Sequence, residues 1–299
     1  MATTTSQTAP APVENNPPTG GKQKKTGGVL NVFSHGFLFL WAVMIILPLI
    51  WMVVTSLKNN TEIFTDPLGL PDVWQFENYI RAWEKAGIGQ FFINTIIVVG
   101  GGVFFTMTLG SMAAYVLARY EFRGNRFFFY MFVSGMMFPV FLALVPLYYI
   151  VDGMGLLGTF HGLILVYTAY SLPFTVFFLT SFFRTLPTGV AEAAMIDGAG
   201  HYRLFFQVML PMAKPGIISI AIFNVIGQWN QFLMPLVLMP GESNSVITQG
   251  IANIAVQERY NPDFSALMAS MVISMVPVLI AYIIFQRQIQ AGMTAGALK

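Results

Sequence analysis

Residues 192–211, which read EAAMIDGAGHYRLFFQVMLP, decide the fold. The stretch begins with good helix formers and with an acidic side chain suited to the positive end of a helix. Gly198 and Gly200 then interrupt that helix. From His201 to Met209 the apolar residues recur at helical spacing, and Pro211 closes the element. The stretch therefore predicts two short helices separated by a glycine bend, the second of them amphipathic.

The chain around this stretch has the composition of a membrane protein. Of its 299 residues, 56% are hydrophobic and 9% are charged, and the mean hydropathy is +0.66. An average soluble domain has roughly 25% charged residues. The formal net charge is +2 and the basic residues are scattered, so no nucleic-acid partner is predicted. Cysteine is absent and the histidines lie far apart, which argues against disulfides and a metal cluster.

Six apolar runs each reach the ~20 residues needed to cross the hydrocarbon core. They lie near residues 36–56, 91–118, 127–151, 158–183, 215–239 and 264–285. With the N-terminus in the cytoplasm, most Lys and Arg fall inside, as membrane topology favours. The exceptions are Lys58, Arg81, Lys85 and Arg259. The prediction is an all-α, multi-pass membrane protein with six transmembrane helices and both termini cytoplasmic.

Two regions differ in composition from the spans. Residues 1–33 are rich in Thr, Pro, Ala and Gly and cannot bury enough apolar surface to fold, which predicts a disordered cytoplasmic tail. Residues 34–299 form the transmembrane domain. Within it, residues 184–214 make the largest inner loop, which contains the deciding stretch and is too apolar to be a simple solvated connector.

The deciding stretch resembles a loop of the permease subunits of ATP-binding-cassette (ABC) importers. That family's consensus is E-A-A, three residues, G, nine residues, I, one residue, L-P, and the only departure here is Val208 for isoleucine. The resemblance implies the type I importer permease fold and a coupling loop, residues 184–214, that docks on a cytoplasmic ATPase. The docking and flanking residues it implies are Glu192, Ala193, Ala194, Asp197, Gly198, His201, Arg203, Leu210 and Pro211.

Further resemblance points to the carbohydrate-uptake branch of this family. Residues 228–233, which read QWNQFL, together with Pro235 and Leu236, are similar to that branch's fifth-span signature, and so is the C-terminal stretch 292–299. The resemblance implies binding-protein-dependent sugar transport across a bacterial plasma membrane. The implied partners are a second permease, a dimer of cytoplasmic ATP-binding subunits, an extracytoplasmic sugar-binding protein and membrane lipid.

Energy for transport must come from outside the chain. A Walker A pattern is absent, because the stretch 20–22, which reads GGK, lacks the required spacing. The chain is therefore predicted to bind no cofactor and to be no enzyme, with ATP and magnesium held by the partner ATPase. Charged residues are missing from the middle of every predicted span, which disfavours an ion-coupled secondary carrier. That carrier, and an importer of a non-sugar solute, are the alternatives.

Polar residues of the fifth predicted span are candidates for lining the transport pathway. Asn224, Gln228 and Gln231 follow the spacing i, i+4, i+7 and share one helix face, while Trp229 and Asn230 project to either side. Amides pair with sugar hydroxyls, and an indole can cover the apolar face of a pyranose. The alternative is that these amides join neighbouring helices by hydrogen bonds.

Overall fold

The computed structural model describes residues 28–241, 243–257 and 263–297. All regular structure in these ranges is helical. The α-helices are α1 (Gly28–Thr55), α2 (Asn60–Thr65), α3 (Glu77–Ile80), α4 (Ile88–Arg119), α5 (Asn125–Met137), α6 (Val140–Gly153), α7 (Phe160–Thr185), α8 (Thr188–Ile196), α9 (His201–Arg203), α10 (Leu210–Met212), α11 (Lys214–Trp229), α12 (Leu233–Leu238), α13 (Ile247–Gln257) and α14 (Phe264–Ala297). Two π-helical segments, Arg81–Lys85 and Leu204–Met209, continue α3 and α9.

The number of membrane-crossing helices lies between four and six in the described residues. Four helices are long and apolar enough by themselves, and two bent pairs reach six if each counts as one span. The structure thus shows a helical protein with several apolar spans, in agreement with the predicted class. Of the predicted tail, residues 1–27 lie outside the described residues, and α1 already begins at Gly28.

The described residues divide into two units, the first ending at residue 49 and the second beginning at residue 50. In the first unit, the part of α1 from Ser34 to Pro48 exposes its side chains on all sides. A helix that is apolar all round suits a lipid environment. In the second unit α4 and α7 form the central pair, α5 lies on α7, and α11 contacts α4, α7 and α14.

Close packing of the central helices depends on a small residue in α4. A Cβ atom at Gly102 would overlap the side-chain amide of Gln228 and would also press on Tyr167. Small residues let membrane helices approach closely. Gly102 therefore allows α4, α7 and α11 to meet at one level of the bundle.

The third predicted span, residues 127–151, is not one straight helix. It breaks after α5, and α6 leaves at an angle of 105°. Pro139 causes the break, because proline disfavours helical geometry in the residue before it, and Phe138 has the extended angles φ −81° and ψ 118°. The structure keeps α6 and α7 continuous through Pro146 and Pro173.

The fifth predicted span, residues 215–239, is also wrong as a single helix. The helix α11 ends at Trp229, and α12 begins only at Leu233. On its other side, α11 is bent by 76° from the helix His201–Met212 that α9, the π-helical segment and α10 form together. The apolar run therefore contains a full helix followed by a short one. Hydropathy records composition and not the direction of the chain, so it does not reveal this break.

The chain after α11, which we call the distal segment (residues 230–241 and 243–247), is fixed to the start of α4 by buried polar side chains. The Asn94 side chain donates from Nδ2 to the carbonyl oxygens of Ser243 (3.1 Å) and Ser245 (2.9 Å). The hydroxyl of Thr95 accepts a hydrogen bond from the amide of Ile247 at 2.8 Å. These contacts lie at the end of α4 opposite to the coupling loop.

Candidate functional site

The bend of the coupling loop is closed by backbone hydrogen bonds around Gly198. Its φ is +80°, which glycine adopts at low cost. The amide of Ala199 donates to the carbonyl of Ala194 at 2.9 Å, and that of Gly198 donates to the carbonyl of Met195 at 3.0 Å. This pair of bonds is a Schellman motif, a common way to end a helix. The predicted glycine bend is therefore a defined helix cap.

The inner side of the coupling loop rests on an aromatic cluster. Leu204, Phe205 and Met209 of the π-helical segment are buried against the ends of α4 and α7. The ring of Tyr115 lies 5.0 Å from that of Phe205 and 5.6 Å from that of Phe183, measured between centroids. The support is thus almost entirely van der Waals contact between apolar and aromatic groups.

Polar contacts tie the loop to α4 at two points. The guanidinium of Arg119 donates to the carbonyl oxygen of Leu186 at 2.6 Å, between α7 and α8. The hydroxyl of Tyr120 and the Nδ1 atom of His201 form a hydrogen bond of 2.9 Å, and their rings are 5.7 Å apart. These two hydrogen bonds join the loop to the end of α4.

The predicted coupling residues fall into two groups. Ala194 and Leu210 pack inward on the aromatic cluster. The others lie on the exposed side of the loop: Glu192, Ala193, Asp197, Gly198, His201, Arg203 and Pro211. Ala194 and Leu210 hold the loop to the spans, and of the exposed residues His201 is also hydrogen-bonded to Tyr120.

Two large side chains at the bend were missed in the sequence analysis. Ile196 is 87% exposed and Tyr202 is 81% exposed, one on each side of Gly198. Apolar residues of an amphipathic stretch are normally assigned to its buried face, so periodicity gave no reason to single them out. Their position beside a glycine bend was the available signal, because the chain changes direction there and the helical pattern before the bend does not continue after it.

A cavity of about 380 Å³ lies among α5, α7 and α11. It contains three of the predicted pathway residues, Asn224, Gln228 and Gln231. Aromatic and small polar residues complete the wall: Gly135, Met136, Tyr167, Tyr170, Ser171, Phe174, Phe223 and Gly227. The aromatic residues of α7 were missed, although Tyr167, Tyr170 and Phe174 recur at helical spacing.

Two of the cavity amides also join helices. Asn224 donates from Nδ2 to the hydroxyl of Thr175 at 2.9 Å, and Gln228 donates from Nε2 to the hydroxyl of Ser171 at 3.0 Å. Both amide side chains are buried. They therefore connect α11 to α7, as the alternative reading of these amides predicted, while also forming part of the cavity wall.

The other two predicted pathway residues do not line this cavity. Trp229 is buried, packs its ring against Phe92 and donates from Nε1 to the carbonyl of Ser274 at 3.2 Å. Asn230 donates to the carbonyl of Ile226 and lines a small hollow on the α14 side. One step along a helix turns a side chain by about 100°, which separates these residues from the cavity face.

Comparison with known proteins gives consistent results. Residues 106–295 match the family described as "Binding-protein-dependent transport system inner membrane component". The diacetylchitobiose uptake system permease protein NgcG of Streptomyces coelicolor is 51% identical over 266 residues, which cover 89% of this chain and 88% of the relative. The trehalose transport system permease protein SugB of Mycobacterium tuberculosis is 32% identical, with 85% and 92% covered.

A solved structure shows the same fold. A bacterial ABC transporter involved in the import of the acidic polysaccharide alginate contains a chain that matches with a TM-score of 0.77. The match covers 87% of this chain and 96% of that chain at 22% identity. At this level of identity the likeness describes the fold alone.

Proposed function

Because this chain belongs to the family of binding-protein-dependent transport system inner membrane components, we propose that it is the permease subunit of an ATP-driven sugar importer. The family consists of transport permeases rather than enzymes, and the relatives described above are permeases of sugar ABC transporters. The observation that carries the proposal is the 51% identity with the diacetylchitobiose permease along almost the whole chain. The substrate proposed is accordingly a neutral N-acetylated disaccharide.

The cavity has the chemistry that such a sugar requires. Its wall combines aromatic rings with amide and hydroxyl groups, and none of the lining residues is charged. Hydroxyl and acetamido groups need paired donors and acceptors, and aromatic rings can cover the apolar faces of pyranose rings. Gln231 and Tyr170 are the lining side chains we propose for direct contact, because Asn224 and Gln228 already bond to α7.

A second permease would close the cavity on the side of α5 and α6. The cavity reaches Gly135 and Met136 of α5, beyond which the apolar side chains of the bent pair are exposed. These exposed residues are Met137, Phe138, Phe141, Leu142, Val145 and Tyr149. We assign this surface to the partner permease, with the remaining apolar faces covered by lipid.

The exposed side of the coupling loop is the proposed docking site for a dimer of ATPase subunits. Ile196 offers a large apolar contact beside the Gly198 cap, and Glu192 and Asp197 add charge on the same exposed side. An apolar centre with a polar rim is the usual form of a protein interface. In this proposal the loop lies in the cytoplasm, and ATP and magnesium belong to the partner. The proposed topology has six spans with both termini cytoplasmic.

The segment between α1 and α4 is the proposed contact for the extracytoplasmic sugar-binding protein. Its backbone is held by buried polar groups: Asn78 donates from Nδ2 to the carbonyls of Ser56 (2.8 Å) and Lys58 (2.9 Å). The ammonium of Lys58 donates to the carbonyl of Asp66 at 2.6 Å. The segment exposes several apolar residues, namely Phe64, Leu68, Leu70, Val73, Trp74 and Phe76.

Uptake of labelled diacetylchitobiose in a strain lacking this chain tests the proposal. We expect uptake to be lost, to return with the wild-type chain, and to stop on ATP depletion while an uncoupler at preserved ATP has little effect. Unlabelled cellobiose, which lacks the acetamido groups, is the matched competitor and should compete poorly. Undiminished uptake in the deletion strain would contradict the importer, and equal competition by cellobiose would contradict the N-acetylated substrate.

A further inference from the structure

An apolar groove separate from the cavity lies between the end of α4 and the second helix of the coupling loop. Its volume is about 400 Å³, and its surface is almost entirely carbon. The lining residues are Met112, Tyr115, Val116, Tyr120, His201, Tyr202, Phe205 and Phe206. One wall is thus a membrane span, and the other is the element proposed to receive the ATPase.

The groove continues a lipid-facing stripe of α4. Phe105, Leu109, Met112 and Val116 are each between 39% and 49% exposed and recur every three or four residues, so they share one helix face. Because Ile88–Arg119 is a candidate span, hydrocarbon covers this face in a membrane. The stripe enters the groove at Met112 and Val116. A hydrocarbon chain lying along α4 therefore reaches the groove without crossing a polar surface.

The open end of the groove carries groups typical of the headgroup level. Tyr120 and His201 meet there through the 2.9 Å hydrogen bond, and Tyr202 is exposed beside them. Tyrosine is enriched at membrane interfaces. Three exposed arginines flank these residues in sequence, Arg123 and Arg126 after α4 and Arg203 after Tyr202, and Glu121 is the acidic residue among them. This excess of guanidinium groups, which bind phosphate well, is complementary to an anionic headgroup.

We propose that the groove binds an acyl chain of an anionic phospholipid whose phosphate lies at these arginines. The proposal rests on the proposed function only in assigning the lipid to the cytoplasmic leaflet. Residues 1–27 of the chain fit poorly, since they are rich in Thr, Pro and Lys and lack a continuous apolar run. A bound acyl chain touches both α4 and the coupling loop, so it favours the arrangement of the two in which the groove is open.

Photocrosslinking identifies the occupant directly. The complete transporter, carrying Phe206→p-benzoylphenylalanine, is placed in nanodiscs of phosphatidylcholine with a minor share of phosphatidylglycerol and irradiated. We expect the intact mass to rise by one phospholipid, with phosphatidylglycerol captured well above its mole fraction. Crosslinking to a polypeptide would overturn the proposal in favour of a protein helix, and capture in proportion to mole fraction would overturn the anionic assignment.

A matched pair of variants tests the groove itself. Val116→Trp fills the groove, whereas Leu109→Trp adds the same side chain to the same lipid-facing stripe outside it. By native mass spectrometry of the complex after detergent washing, we expect retained phosphatidylglycerol to fall about tenfold in the first variant, a loss of 1.4 kcal/mol of binding, and to stay unchanged in the second. Equal retention in both variants would overturn the proposal. Lipid retention is read without sugar or ATP, so its failure is distinguishable from failure of sugar transport.

Discussion

The two ends of α4 hold neighbouring segments by different kinds of contact. At one end, buried Asn94 and Thr95 fix the distal segment by hydrogen bonds to backbone groups. At the other end, the coupling loop rests on aromatic rings around Tyr115. Hydrogen bonds require narrow distances and angles, whereas apolar contact is non-directional. Apolar packing is present at both ends, and the loop also has the hydrogen bonds of Arg119 and Tyr120. The buried bonds of Asn94 and Thr95 therefore restrict the distal segment more closely than the aromatic support restricts the coupling loop.

The largest effect is expected from removing the buried amide at the distal end. Asn94→Ala leaves the carbonyls of Ser243 and Ser245 without their donor, and each such loss costs ~1–3 kcal/mol. We expect a clear fall in the thermal unfolding midpoint of the purified protein in detergent. Gln90→Ala is the comparison variant, because among the described contacts it removes only the one donor to the Asn94 side-chain oxygen, and its midpoint should fall less. Equal destabilisation by the two variants would show that the Asn94 hydrogen bonds do not fix the distal segment to α4.

The next effect concerns the exposed side of the coupling loop. Ile196→Asp places a charge at the proposed docking centre, where truncating a central interface residue typically costs about 2 kcal/mol, or roughly 30-fold in affinity. Because Ile196 is 87% exposed, the thermal stability of the permease should not change. Co-purification of the ATPase measures the effect, and Ile196→Val is the conservative control. Normal recovery of the ATPase with Ile196→Asp would contradict the docking assignment.

A third test separates the effect of backbone strain from the effect of side-chain size at position 198. An L-residue with the φ of Gly198 costs about 1–2 kcal/mol, and asparagine tolerates this region better than alanine. A Cβ atom at position 198 meets no atom of the chain within 4 Å. We therefore expect Gly198→Ala to reduce sugar-stimulated ATPase activity about tenfold and Gly198→Asn to reduce it less. The opposite order would show that size at the docking surface matters more than the helix cap.

The smallest effect is expected where the coupling loop has a polar contact. Tyr120→Phe removes the hydrogen bond to His201 but keeps the ring contact, and a partly exposed bond contributes about 0.5 kcal/mol. Sugar uptake should stay within about twofold of wild type. A loss as large as that expected for Gly198→Ala would mean that this bond, and not apolar packing, sets the position of the loop. The contrast between the two ends of α4 would then be wrong.

The sequence predicted the elements that depend on local chemistry. The two short helices and the glycine bend follow from residue types and spacing, and the shared face of Asn224, Gln228 and Gln231 follows from helix geometry. The apolar runs likewise follow from hydropathy. What the sequence did not predict depends on tertiary packing. Pro139 breaks a helix while Pro173 does not, although the two residues look alike in sequence. Tertiary packing likewise determines which helix each amide side chain of α11 hydrogen-bonds to.

The π-helical segment Leu204–Met209 also restricts how this region can change in length. A π-helix bonds each residue to the fifth one along, so it takes in a residue that an α-helix would not. Removing one residue there would let the segment rewind as an α-helix, and the later side chains would keep their phase relative to the Gly198 cap. The buried faces of Leu210 and Ala213 would then still meet α4 and α7. Adding a residue to a segment that already contains an extra one would instead turn every later side chain by about 100° and move those faces off their contacts.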